Sequence, residues 1–267
     1  MRESWQDLLL SPGNEDHLWE LFHENSKISH YDRSPSDEEV LERMRQLHES
    51  LPFEGYPIID LPKSLAPLHL PLVEAITSRV SVRDMAPCRL TLENLATLLH
   101  YAYGITRDNR GTALPRPFRA APSGGALYPL ELFFHSAHIE DLQAGCYHYN
   151  PSKNHLRLLR QGDATRAISE ALVQPDIALG ASLIVFITTI FERSIFKYGD
   201  RGYRFILLEA GHVAQNLNLV ATALDLGCVN IGGFFDRHVD DLLGLDGLTH
   251  STLYLVAIGK SMEHPAV

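Results

Sequence analysis

Apolar residues at helical spacing alternate along this chain with short apolar runs bounded by turn residues. Leu92, Leu95, Ala96, Leu99 and Tyr103 share one helical face, with Thr91 placed to cap the helix and Gly104 to end it. The longest helix is predicted over 203–226, where Ile206, Ala210, Val213, Leu217, Val220 and Leu224 form a stripe. Small residues beside that stripe (Ala210, Gly211, Ala214, Ala221) permit a close helix neighbour. Shorter helices are expected over 164–173 and 237–245. Strands are expected over 130–136, 182–190, 228–231 and 252–259, with a hairpin pair over 145–150 and 155–159. The β-branched run at 182–190 reads as a strand buried on both faces. Strands and helices interleave around one hairpin, which predicts an α+β sheet covered by helices.

The first 70 residues differ. Two charged helical pieces, 17–25 and 37–50, precede Pro52, Pro57, Pro62, Pro67 and Pro71, and Val40, Leu41, Met44 and Leu47 share one face of the second. The prolines deny this stretch long helices, so residues 1–66 are expected as an arm lying against a domain of residues 67–267. The arm either covers a hydrophobic face or recognises a partner or substrate; the cover is preferred.

The chain has 267 residues, 45% apolar and 21% charged, with a net charge of −10. That composition excludes wholesale disorder and argues against nucleic-acid and anionic-membrane binding. Cys88, Cys146 and Cys228 stand far apart without a CxxC pair, as expected of a cytoplasmic protein. No apolar run reaches the roughly 18 residues of a membrane span. The 14 histidines show no ligand spacing, so no metal is expected. GxGxxG, GxxxxGK, HExxH and GxSxG are missing.

Four segments carry candidate chemistry. In Arg79-Val80-Ser81-Val82-Arg83 an extended backbone would put two guanidiniums and a hydroxyl on one face and the valines on the other, a small phosphate site or a solvated edge. Pro122-Ser123-Gly124-Gly125 offers a donor and a bare backbone that a flat ligand can approach, or is a plain turn before a strand. Lys197 and Tyr198 are titratable groups beside Gly199 and Gly202, read as an irregular loop that either brings an acid–base pair together or is a plain surface loop. Gly232-Gly233 runs a strand end into a bare-backbone turn that either offers N–H groups to a ring nitrogen or is a simple strand-ending turn. On the long helix, His212, Gln215 and Asn216 need solvent or polar partners.

In this order, the segments resemble the nitroreductase superfamily, and within it the SagB-type dehydrogenases. The likeness covers about residues 72–260, with His23-Glu24-Asn25-Ser26-Lys27 resembling the start of the subgroup. Val80 replaces the second arginine of the family's opening segment. Ala126 and Tyr128 stand where simple nitroreductases carry Asn and Gln, which favours the SagB type.

The resemblance implies a central mixed or antiparallel sheet flanked by helices in an obligate homodimer that binds FMN at its interface. Arg79, Ser81, Arg83 and Lys260 would hold phosphate and ribityl groups. Pro122, Ser123 and Gly124 would border the ring, Gln215 would contact the cofactor, and Gly232 and Gly233 would face the flavin N5. It further implies oxidation of an azoline or related C–N unit to the azole, in a peptide or carrier-tethered intermediate, with Lys197 and Tyr198 as the base pair. Reduced flavin would return its electrons to oxygen, and a cyclodehydratase or synthetase would stand beside it. The competing readings are an NAD(P)H-dependent nitro or quinone reductase and a non-catalytic flavoprotein subunit of a synthetase. The loop 106–118, with Arg107, Arg110, Arg116, Pro115 and Pro117, is expected to border the site.

Overall fold

A computed structural model describes residues 18–31, 35–109, 111 and 116–262. His17, Arg110 and Pro115, singled out above, lie outside these. The sheet runs in the order β1 (Ile58–Asp60), β7 (His155–Gln161), β6 (Gly145–Asn150), β5 (Leu130–Ser136), β8 (Leu183–Ile190), β10 (His250–Ser261) and β2 (Met85–Ala86). β9 (Gly227–Ile231) pairs along β10 next to β2, and every ladder in the sheet is antiparallel. A separate two-stranded ribbon joins β3 (Ile105–Arg107) to β4 (Phe118–Arg119).

Side-chain alternation divides the core between the two faces of the sheet. Leu130, Leu132 and Phe134 of β5 join the cluster beneath α4 (Leu92–Tyr103) and α8 (Arg201–Ala223). Phe133 belongs to the opposite cluster, with Ile168, Ile177 and Val239 from the short helices α5 (Thr165–Glu170), α6 (Pro175–Gly180) and α9 (Asp236–Leu243). α4 begins with a capping box: Asn94 N donates to Thr91 Oγ1 and Thr91 N donates to Asn94 Oδ1, both at 3.1 Å. Its end is fixed by Gly104 N donating to His100 O at 2.7 Å. Ile206, Ala210, Val213, Leu217 and Ala221 turn α8 toward this core.

Several elements differ from the sequence pattern. The helix expected over 164–173 stops at Glu170, and a second begins at Pro175, whose missing N–H suits a first turn. The long helix starts at Arg201. Lys197 and Tyr198 belong to a short helix, α7 (Glu192–Tyr198), rather than to an irregular loop; Gly199, at φ 54°, breaks the chain just after them.

The first described residues form α1 (Leu18–Asn25), α2 (Asp37–Gln46) and the edge strand β1, followed by α3 (Leu72–Ser78). α2 ends at Gln46 because Leu47 turns extended. Val40 and Met44 of α2 are buried with Leu127 and pack against Phe196 and Tyr198. Arg116 holds the arm there, donating to Met44 O at 2.8 Å and Leu47 O at 3.3 Å. At the other end, Arg204 donates to Ser26 Oγ at 2.8 Å, seating the His23–Lys27 stretch on α8.

Candidate active site

The turn after Pro122 is conformationally costly. Gly125, Ala126 and Tyr128 adopt φ of 65°, 53° and 49°, and only the first is glycine. Three contacts hold it. Tyr128 N donates to Ser123 Oγ at 2.9 Å, Arg119 N donates to Tyr128 Oη at 3.0 Å, and Arg116 Nη1 donates to Leu127 O at 3.2 Å. Arg116, expected only to border the site, is thus a buried clamp joining arm and turn.

α7 delivers Lys197 and Tyr198 to this turn. A Cβ on Gly125 would lie 2.6 Å from Tyr198 Oη and 3.1 Å from Lys197 Nζ. Gly124 faces the ring of Phe205, 3.3 Å from where its own Cβ would sit. Phe205 meets the Tyr198 ring edge-on at 4.9 Å, and Lys197 Nζ stands 5.3 Å from the centre of that ring. Both side chains are half-buried. Bare backbone at 124–125 is therefore what admits an amine and a phenol to the same spot.

The basic segment lies elsewhere. Val82 N donates to Cys228 O at 3.0 Å, Ser81 bridges Cys228, and Lys260 pairs with Ala86 in β2. Arg79, Ser81, Arg83 and Lys260 therefore come from the chain around one corner of the sheet. The expected alternation fails in one respect: Val82 is buried, but Val80, just past the Arg79 cap of α3, is 58% exposed. Burial pushes the Cys228 thiol up to about 12, opposed in part by Arg79.

Gly232 and Gly233 are exposed between β9 and α9, where Val173 N donates to Gly233 O at 3.0 Å. Pro122 is exposed, as are Gln215 and His212 on α8, whereas Asn216 Nδ2 donates to Ala102 O at 3.4 Å. Phe205, which touches the turn, precedes the end of α8 at Ala223 by 18 residues, about 27 Å of helix. The Lys197–Tyr198 turn and the arginine corner thus lie toward opposite ends of α8.

Two buried acids escaped the sequence reading. Glu131 on β5 lies 2.7 Å from Arg193 Nη1 and accepts from His148 Nε2 at 2.6 Å. Glu209 on α8 is almost wholly buried and accepts from Tyr103 Oη at 2.6 Å. Burial pushes its carboxyl up to about 7, against the opposing pull of Ser123, Tyr103 and Arg119. The available signal was a carboxylate between Ile206 and Val213 on the apolar stripe.

Among the described residues, no group of three or more His, Cys, Asp or Glu is placed to hold a metal, and no helix is long and apolar enough to cross a membrane.

The Nitroreductase family signature matches residues 76–260, and the chain belongs to that family. It is 36% identical over 193 residues to a nitroreductase of Methanocaldococcus jannaschii, an alignment covering 72% of this chain and 92% of that one. More particularly, it is similar to peptide-processing proteins. It is 37% identical over 157 residues to the microcin B17-processing protein McbC of Escherichia coli, covering 53% of this chain and 54% of that protein. The matched region spans only about half of McbC. The structure of the E. coli microcin synthetase McbBCD complex with truncated pro-microcin B17 bound superposes with a TM-score of 0.57 at 25% identity, over 92% of each chain.

Proposed function

We propose that the protein is an FMN-dependent dehydrogenase that oxidises an azoline or related C–N unit, in a peptide or carrier-tethered intermediate, to the aromatic azole. The observation that carries this is the convergence of Lys197 Nζ and Tyr198 Oη on the bare backbone at Gly125. An azoline becomes an azole by losing one proton and one hydride from adjacent carbons. FMN, when bound, supplies the acceptor for the hydride. The chain's own task is the proton, and an amine and a phenol at one point can take it from the ring carbon, an effect typically of about 10²–10⁴-fold.

The donor set fits the cofactor. Arg79, Ser81, Arg83 and Lys260 would hold the phosphate and ribityl chain through charge-assisted bonds. Pro122, Ser123 and Gly124 would border the ring, with Gly232 and Gly233 opposite N5; Gln215, on the outer face of α8, would reach it only from there.

The separation along α8 supports a shared site. About 27 Å of helix separates Phe205, at the turn, from the far end of α8 near which the arginine corner lies, so a second copy running the other way would bring its turn to the first copy's arginines. Exposed Leu207 and Leu208 on α8, and Leu72, Val73 and Ile76 on α3, provide an apolar face for such a homodimer. Likeness to McbC supports a peptide substrate and a synthetase partner. The cytoplasm is the proposed location.

The test is mass spectrometry of azoline peptides after incubation with the protein and FMN. Loss of two hydrogens, abolished by Lys197→Ala, is expected. Fast flavin reduction by NAD(P)H, with nitro turnover and untouched azolines, would replace this reading by the reductase one, which the M. jannaschii likeness favours. Full product formation by Lys197→Ala within a synthetase would make the chain a non-catalytic subunit.

A further inference from the structure

α7 is too short to hold its own shape. Its seven residues fall well under the roughly 12 at which an isolated helix becomes stable in water, so Lys197 and Tyr198 stand where other elements put them. The sheet supplies one hold, the Arg193–Glu131 pair. The arm supplies others. Arg43 Nη2 on α2 donates to Glu192 Oε1, at the first residue of α7, at 2.8 Å. Val40 and Met44 form with Leu127 the buried cluster on which Phe196 and Tyr198 rest at the other end. Ser50 and Leu51 donate to the same Glu131 that holds Arg193. All of these arm residues precede the stretch 76–260 that matches the family.

Tyr198 needs that backing. Gly125 has no side chain to limit the phenol, and Phe205 meets the ring only edge-on at 4.9 Å. A side chain stays in one rotamer where neighbours fill the space around it, and here the cluster from α2 does the filling. One guanidinium keeps the two halves of that cluster in register, since Arg116 donates both to Met44 O and to Leu127 O.

We propose that Val40 and Met44 are positioning residues: the arm completes the active site by packing α2 against Tyr198, which fixes the phenol beside Lys197 at Gly125. This inference rests on the reading of Lys197 and Tyr198 as the base pair. It gives the arm a part in the reaction beyond covering a hydrophobic face. The groups assigned to FMN all lie within residues 76–260, so the effect of the arm falls on proton transfer and not on cofactor binding.

The experiment compares the full-length protein with Met44→Ala, Val40→Ala, Met44→Leu and Leu61→Ala, by azoline turnover and FMN affinity. A second, labelled set carries 4-fluorophenylalanine in place of Tyr198 and is read by fluorine NMR. Leu61 is the control, because it belongs to the arm and is just as buried but packs in the core beneath α4 and α8. Met44→Ala should lower kcat by about 10–10²-fold, the penalty of a base displaced by about an ångström, with KM and FMN affinity unchanged. Met44→Leu conserves the volume and should keep the wild-type rate. Val40→Ala, the smaller deletion, should lower kcat less, and it keeps the test decisive if Met44→Ala fails to fold. The fluorine line should shift or broaden in both alanine variants of α2 and stay unmoved in Leu61→Ala, a contrast that a general loss of stability would not produce. Wild-type kcat and an unmoved fluorine line in Met44→Ala and Val40→Ala overturn the proposal, as does an equal loss of kcat in Leu61→Ala. A wild type that leaves azolines untouched overturns the base reading instead, and the fluorine lines tell the two failures apart.

Discussion

Arg193 Nη1 lies 2.7 Å from Glu131 Oε1, and each side chain is at most 2% exposed. The pair ties α7, which carries Lys197 and Tyr198, to the centre of the sheet. The same carboxylate accepts from His148 Nε2, from Ser50 Oγ at 3.0 Å and from Leu51 N at 2.9 Å, so the arm is anchored there too. Burial by itself would push the Glu131 carboxyl up, but Arg193 and His148 together hold it well below the usual carboxylate range.

Arg193→Met should therefore leave an uncompensated buried carboxylate and cost about 3–5 kcal/mol at pH 7, read by urea denaturation. The sign with pH follows from a depressed folded value. The stabilisation from Glu131 is fully present above the ordinary carboxylate range and is lost as pH falls toward the folded value, so the deficit of the variant should shrink in acid. An equal deficit at pH 7 and pH 3 would contradict the pairing.

Glu209 has the opposite sign. Its folded value, pushed up to about 7 from 4.5, means the native state holds a proton that the unfolded chain releases between those values. Stability contributed by that proton is full below about pH 4.5 and declines as pH rises through 7. Glu209→Gln should thus match the wild type near pH 4.5 and exceed it by up to about 3 kcal/mol at pH 8. Thermal melts at the two pH values check this.

Gly125→Ala should reduce azoline turnover by about 10²–10⁴-fold, the contribution typical of a positioned base. A methyl there would collide with Tyr198 Oη and Lys197 Nζ. The stability cost should be only about 1 kcal/mol, that of placing alanine at positive φ. Turnover at the wild-type rate would separate the Lys-Tyr pair from the chemistry.

Arg116→Ala should loosen the arm, because one guanidinium serves Leu127 O, Met44 O and Leu47 O. Charge-assisted bonds of this kind are worth about 1.5–3 kcal/mol each before compensation. Limited proteolysis should cut between residues 35 and 56 well before the wild type is cut. Equal cleavage rates would show that α2 is held by Val40 and Met44 alone.

Local signals in the sequence were enough for much of this fold. Thr91 and Gly104 bounded α4 because capping is a matter of neighbouring atoms, and the apolar run at β8 needed no context. The order of Arg79, Ser123, Lys197, His212 and Gly232 was enough to suggest the family. What stayed hidden depends on distant partners. Lys197 and Tyr198 looked like loop residues because α7 is only seven residues long, held by the Arg193–Glu131 pair rather than by its own propensity. On α8 the polar residues His212 and Gln215 drew attention, yet both face solvent, while the buried acid is Glu209. Only Tyr103, more than a hundred positions away, and the folded turn at Ser123 make that carboxyl legible.

β1 lends three residues of the arm to the free side of β7, with Ile58, Ile59 and Asp60 opposite Arg157, Leu156 and His155. A chain trimmed behind that strand would present a naked row of amides and carbonyls at the rim of its main sheet, a template on which other molecules can stack. The arm therefore guards solubility: shortened forms of this protein should clump as they fold, whatever chemistry their remaining residues retain.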